Sequence, residues 1–226
     1  MSSPHAIKHP AYRPCVMGRN GVVTSADGLA SQAGIQIMMA GGNAIDAAIA
    51  TAAALGVVEP QSSGIGGDGF MLIYSAKTGK VSAVNATGAA PTGATREFYL
   101  ERDGIPMKGG LSVSIPGLVD GWLLAHERFG TLPLDQIFGP AIALCEDGFP
   151  LSHKLADSLR EETEQFASDP YTRDTFTDDG RPLHPGDLIY QKNLGKTLKT
   201  IAAEGRKAYY EGEIARAMVA FCRSRG

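Results

Sequence analysis

Asn43–Tyr74, NAIDAAIATAAALGVVEPQSSGIGGDGFMLIY, reads as a helix, a glycine-rich loop and a strand in that order, and the order decides the fold class. Asn43 is an N-cap residue whose side chain can accept from free N–H groups, and Asp46 falls in the first turn, where negative charge suits the helix dipole. The helix that follows, Ala44–Val58, is almost all Ala and aliphatic. Small residues on every face predict a helix buried on most sides and packed close to its neighbours. It must end before Pro60, because the residue preceding proline disfavours helical dihedrals. Phe70–Ser75, FMLIYS, is a short apolar run of β-formers, predicted as a fully buried strand. Lys77–Lys80 reads as a turn, and Val81–Ala86 as the returning strand of a hairpin.

The loop between helix and strand, Gly64–Gly69, formally matches G-x-G-x-x-G. A dinucleotide site needs a strand before that motif and a helix opening at its end. Here the order is reversed, and no Lys-Ser/Thr follows to make a phosphate-binding loop. Two readings stay open. The loop is either a packing element, where glycine lets backbone approach backbone, or the wall of a cleft that admits substrate.

Working outward, residues 1–20 read as an irregular arm and residues 21–226 as one partial domain. Gly21–Ala26, GVVTSA, is predicted as a short buried strand. Leu29–Ala40 has helical apolar spacing and stops at Gly41-Gly42, since glycine takes the left-handed C′ conformation at least cost. Beyond the hairpin the pattern predicts helices over roughly 117–129, 134–147, 152–168, 193–204 and 212–225. Helix, helix, hairpin and then several helices imply an α+β or layered fold, not the doubly wound alternation of strand and helix.

Composition narrows the function classes. The chain has 226 residues, 43% hydrophobic and 20% charged, with a net charge of −3 and no basic run, so a nucleic-acid partner is not expected. Cys15, Cys145 and Cys222 are odd in number and scattered, which predicts buried reduced thiols instead of a disulfide framework or zinc site. The five histidines show no metal-ligand spacing, so no metal is expected. The N-terminus lacks the apolar core of a secretory signal, and Ala44–Val58 is too short to span a bilayer. These features predict a cytoplasmic protein without a membrane partner.

Five stretches resemble one family. They are GLASQAGIQIMMAGGNAIDAAIATAAALGVVEPQSSGIGGDGFMLIY (28–74), NATGAAPTGAT (85–95), SIPGLVDGWLLAHERFGTLPL (114–134), PAIALCEDGFPLS (140–152) and YQKNLGKTLKTIAAEGRKAYYEGEIARAM (190–218). They are similar to the large subunit of γ-glutamyltranspeptidases, from about residue 18 onward, and AGGNAIDAA followed by EPQSSGIGG is the specific signature. The resemblance implies an N-terminal-nucleophile hydrolase fold, an αββα sandwich of which this chain is an incomplete, helix-rich portion. It implies a precursor that cleaves itself into large and small subunits. It also implies an N-terminal Thr on the small subunit that attacks an amide, its own α-amino group serving as base, with no cofactor. The partner expected is therefore the small-subunit portion of the same precursor.

Two departures from the family pattern matter. No Thr-Thr-His-type processing motif occurs in the sequence, so no catalytic residue is expected in this chain and the chain alone is expected to be inactive. The second departure is at the substrate. γ-Glutamyl-specific members carry an Arg in a D-x-R-E-x-A-P-like motif, where it pairs with the α-carboxylate. The corresponding stretch is Asn85–Pro91, NATGAAP, and Thr87 stands where that Arg is expected. A hydroxyl cannot replace a charged bidentate donor. This favours the acylase-like and oxamate-amidohydrolase-like branches over glutathione, unless a nearby cation substitutes, for which Arg96 is the candidate. The substrate expected is a small amide or γ-glutamyl compound. Two alternatives remain: a non-catalytic scaffold or binding domain, or a nucleotide-dependent enzyme using the glycine loop.

Overall fold

The computed structural model describes residues 15–224. Two helices open it, α1 (Gly28–Met39) and α2 (Ala44–Val58). Asp27 caps α1 by accepting from the Leu29 N–H, and Gly41 takes a φ of 94° just past its end. Asn43 and Asp46 form a reciprocal capping box at the start of α2. The hairpin of β1 (Gly69–Ser75) and β2 (Lys80–Ala86) follows, then α3 (Arg96–Leu100), α4 (Leu118–Phe129) and α5 (Leu134–Asp147). The remainder is β3 (Phe149–Pro150), α6 (His153–Glu161), α7 (Thr163–Ser168), α8 (Pro170–Phe176), β4 (Leu188–Ile189), α9 (Lys192–Glu204), α10 (Arg206–Tyr210) and α11 (Glu213–Ser224).

Helix α2 is the centre of the core, with α1, α4 and α5 packed around it and α9 against α5. Ala47, Ala50, Ala53, Ala54 and Val57 are all buried, as a helix without a polar face requires. Thr51 satisfies its buried hydroxyl by donating to the Ala47 carbonyl at 2.7 Å. Asp46, fully buried, reaches across to the turn after α4, where it accepts from the Thr131 N–H and hydroxyl at 3.0 and 2.5 Å. Asn43 donates to the Phe129 carbonyl at 2.6 Å from the same end of the helix. The polar start of α2 thereby fixes the exit of α4.

The hairpin pairs Phe70 with Asn85, Leu72 with Ala83 and Tyr74 with Val81. Its inner face, with Val84 and Ala86 buried and Met71 and Ile73 half-buried, lies on α4. Its outer face is open: Phe70, Leu72 and Tyr74 are 75%, 80% and 66% exposed. The expected fully buried first strand is thus buried on one side only, because no described element covers the other.

The expected strand at Gly21–Ala26 does not form. The segment lies beside α1 and α2 with Val22 exposed, and no described strand offers it a ladder partner. The predicted helix 152–168 divides at Glu162 into α6 and α7, and the short helices α3, α8 and α10 carry too few turns to show periodicity. Of the expected arm, residues 1–14 lie outside the described residues, and 15–20 are neither helix nor strand. The cysteines differ in environment: Cys145 is buried, Cys222 half-buried and Cys15 exposed, and all three are free. The exposure of Cys15 corrects the expectation of a buried thiol there. No described helix is long and apolar enough to cross a membrane.

Candidate functional site

The glycine loop 64–69 is the junction on which the neighbouring segments converge. Its Gly67 carbonyl accepts from the N–H groups of Gly117 and Leu118 at 3.1 and 3.0 Å, which fixes the start of α4 against the loop. Its Ile65 carbonyl accepts from the Tyr209 hydroxyl at 2.8 Å. Its Asp68 carboxylate accepts from the Gly88 N–H at 2.6 Å through Oδ1 and from the Ser114 hydroxyl at 3.3 Å through Oδ2. Upstream of the loop, Glu59 is buried and accepts from Lys154 Nζ at 2.8 Å, while the Val57 carbonyl accepts from Gln191.

The segment after β2 is clamped from both sides. The Ile115 N–H donates to the Ala89 carbonyl at 3.0 Å, so 86–91 runs beside 113–118. Glycine is required at the crossing, since a Cβ on Gly88 would sit 1.5 Å from the Ile115 carbonyl oxygen. On the far side, Tyr210 donates to the Pro116 carbonyl at 2.8 Å and accepts from the Asp120 N–H at 3.0 Å. Burial raises the phenol pKa of both Tyr209 and Tyr210, so both are neutral donors near pH 7. Arg206 donates to Asp120 at 2.6 Å, and that bond holds the guanidinium pKa above its ordinary value.

These clamps border an open depression of about 400 Å³ lined by Gly88, Pro91, Arg96, Tyr99, Val113 and Ser114, among others. Arg96 is the one charged residue among the described residues of that lining. Thr87, exposed, lies one residue from it and donates its backbone N–H to Asn85 Oδ1 at 2.9 Å. Of the two sequence-predicted positions, Arg96 lies in the wall of the depression, whereas Thr87 adjoins the lining residue Gly88 in sequence without being part of the lining. Asp68, Tyr209 and Tyr210 were missed. The tyrosine pair carried a signal, because a buried phenol needs a hydroxyl partner, but its partners lie too far away in sequence to infer.

Two other groups can be set aside as chemistry. Burial pushes the Cys145 thiol up to about 12, with the Glu146 charge adding to it, so this cysteine is not a thiolate nucleophile at neutral pH. The His126 ring is hydrogen-bonded to the Leu132 carbonyl at 2.7 Å and serves the turn after α4. Among the described residues no group of three or more His, Cys, Asp or Glu is placed to hold a metal ion. The glycine loop passes from α2 into β1 and opens no helix, so it does not present a helix N-terminus to a pyrophosphate.

Comparison with known proteins bears on this arrangement directly. The γ-glutamyltranspeptidase family model matches residues 30–226. The glutathione hydrolase proenzyme of Bacillus subtilis is 38% identical over 213 residues, which is 92% of this chain and 36% of that protein. The Escherichia coli glutathione hydrolase proenzyme is 38% identical over 217 residues, covering 93% of this chain and 37% of that protein. The chain thus spans a little over a third of the length of these relatives. Among solved structures, Helicobacter pylori γ-glutamyltranspeptidase superposes with a TM-score of 0.88 at 34% identity, covering 94% of this chain and 62% of that one. Cephalosporin acylase from Bacillus halodurans superposes equally well, with a TM-score of 0.88 at 36% identity, covering 99% and 43%. The α+β fold, with its incomplete αββα sandwich, is that of these N-terminal-nucleophile hydrolases. With the glycine loop, its clamps and the hairpin all inside the matched region, the chain belongs to the γ-glutamyltranspeptidase family of hydrolases and transferases.

Proposed function

We propose that this chain is the large-subunit portion of an autoprocessing enzyme that breaks an amide and passes the acyl group to water or an amine. The observation that carries the reading is the open outer face of the hairpin. Phe70, Leu72 and Tyr74 project three large apolar side chains into solvent beside the glycine loop, and an apolar sheet face of that kind demands a second layer. The small-subunit portion of the same precursor supplies it, together with the nucleophilic Thr. The names of the relatives, as proenzymes, support this order of events.

In this reading the Thr hydroxyl attacks the amide carbonyl while the α-amino group takes its proton. The C–N bond breaks, the proton passes to the leaving amine, and an acyl-ester remains. Water or an acceptor amine then takes the acyl group and returns the proton to the hydroxyl. The residues of this chain bind and orient. The clamped segments 86–91 and 113–118 shape the side on which the acyl group lies.

The substrate favoured is an amide whose acyl part carries no carboxylate at Thr87. The resemblance puts the carboxylate-binding Arg there, and a lone neutral hydroxyl replaces it. A second reading rests on Arg96, whose place in the same depression lets it receive a carboxylate from another direction.

The test is expression of the precursor through the downstream reading frame. We expect cleavage into two co-purifying chains, a new N-terminal Thr by mass spectrometry, and hydrolysis of acyl-p-nitroanilides. The 226-residue chain alone should hydrolyse none. Turnover by that chain, or an uncut precursor with full activity, would sink the reading.

A further inference from the structure

Asp68 is the one acidic residue in the glycine loop, and its carboxylate is divided between two walls of the depression. Oδ1 holds the Gly88 N–H at 2.6 Å, and Oδ2 holds the Ser114 hydroxyl at 3.3 Å. Both partners are lining residues. Both are neutral donors, so they orient the carboxylate without cancelling its charge. Among the described residues Asp68 makes no ion pair, and Arg96, the cation of the same lining, is not bonded to it. Asp68 is also exposed, and it lies directly behind the two lining residues that it holds. Its Oδ1 is one peptide unit from Thr87. The Thr87–Gly88 peptide therefore carries an anion next to the position where the resemblance expects a cation.

We propose that Asp68 is a specificity-determining residue. Its uncompensated charge on the Thr87–Gly88 wall turns away acyl groups that place a carboxylate there, and favours neutral or amine-bearing ones. This deepens the acyl-site reading given above and rests on it. A charge–charge effect over several ångströms at a partly solvated site changes affinity by about five- to tenfold, and salt weakens it.

Asp68→Asn isolates the charge. The amide oxygen still accepts from the Gly88 N–H, and the amide nitrogen donates to the Ser114 hydroxyl, so the clamp stays. In the complete processed enzyme, kcat/KM is measured for γ-glutamyl-p-nitroanilide and for 4-aminobutyryl-p-nitroanilide, which differ only by the α-carboxylate. We expect D68N to raise the γ-glutamyl to 4-aminobutyryl ratio about fivefold at low ionic strength. The gain should shrink at roughly 0.5 M salt, where the Debye length is only a few ångströms. Asp68→Ala, which also loses the clamp, should lower turnover of both substrates. An active parent enzyme whose ratio D68N leaves unchanged overturns this inference alone. A processed parent that hydrolyses neither anilide overturns the acyl-site reading and this inference with it.

Discussion

The Tyr209 hydroxyl donates a 2.8 Å hydrogen bond to the Ile65 carbonyl, tying α10 to a glycine loop 144 positions earlier in the chain. Tyr209 is 1% exposed, so its loss is not repaired by water. Tyr209→Phe leaves the Ile65 carbonyl without this donor and should cost about 1–2 kcal/mol. Tyr210→Phe should cost more, because Tyr210 both donates to Pro116 and accepts from the Asp120 N–H. Urea unfolding of the processed enzyme checks both, with a lowered midpoint and an unchanged slope expected.

The link between Asp46 and Thr131 makes a pH prediction. Burial pushes the Asp46 carboxyl pKa upward, but the Thr131 hydroxyl and the N–H groups of Asn43, Thr131 and Leu132 outweigh it and hold the pKa below its ordinary value. A carboxyl with a depressed folded-state pKa stabilises the fold fully above its unfolded value, about 3.9, and loses that contribution as pH falls through the folded value. Asp46→Asn should therefore cost roughly 1.5–3 kcal/mol at pH 7. The gap between parent and variant should close on acidification below pH ~4. A gap that stays constant from pH 7 to pH 3, measured by denaturant titration, would refute the charged hydrogen-bond account.

Gly88→Ala is expected to be the most damaging single-carbon change near the depression. Its Cβ would lie 1.5 Å from the Ile115 carbonyl oxygen, which is backbone and cannot rotate away. The two segments would have to separate, breaking the Ile115–Ala89 hydrogen bond and the Gly88–Asp68 clamp. We expect a cost at or above the upper end of the usual 1–3 kcal/mol for overpacking. The readout is a fall in soluble, processed enzyme on a denaturing gel. Normal yield and activity would show that the segments move freely.

Helix α2 was legible to the residue because each boundary has a local cause: the Asn43–Asp46 capping box at one end and Pro60 at the other. The hairpin was legible as two strands and a turn but not in burial. An apolar run such as Phe70–Tyr74 reads as buried on both faces whether or not the covering layer is present. GVVTSA failed for a related reason, since a strand is defined by a neighbour that 21–26 does not find here. At the depression, the departure at Thr87 could be read from a motif register. The Asp68 clamp could not, because the chain brings Gly88 and Ser114 to the carboxylate from 20 and 46 positions away.

The open hairpin face gives a prediction of opposite sign in two settings. In the isolated 226-residue chain, Phe70 and Leu72 are exposed and should drive self-association. Phe70→Ser with Leu72→Ser should reduce that association in sedimentation and dye-binding measurements. In the complete precursor the same pair should lower stability by about 2–4 kcal/mol, because the face is then covered. A neutral effect in the precursor would mean that nothing packs on this face.

Thr87→Arg tests the substrate directly. The new guanidinium would stand one residue from Gly88, where a planar donor can grip a carboxylate at two points. A charged hydrogen bond of about 1.5–3 kcal/mol corresponds to a ten- to hundredfold gain in preference for γ-glutamyl-p-nitroanilide over 4-aminobutyryl-p-nitroanilide. Asp68 lies close enough to compete for that guanidinium, so the gain should be larger in T87R/D68N than in T87R. Arg96→Ala divides the two readings. If Arg96 holds the substrate carboxylate in the parent enzyme, R96A raises KM for the γ-glutamyl anilide at least tenfold, and adding Thr87→Arg restores it. If the natural acyl group is uncharged there, R96A leaves KM for the γ-glutamyl anilide unchanged and T87R creates a preference the parent lacks.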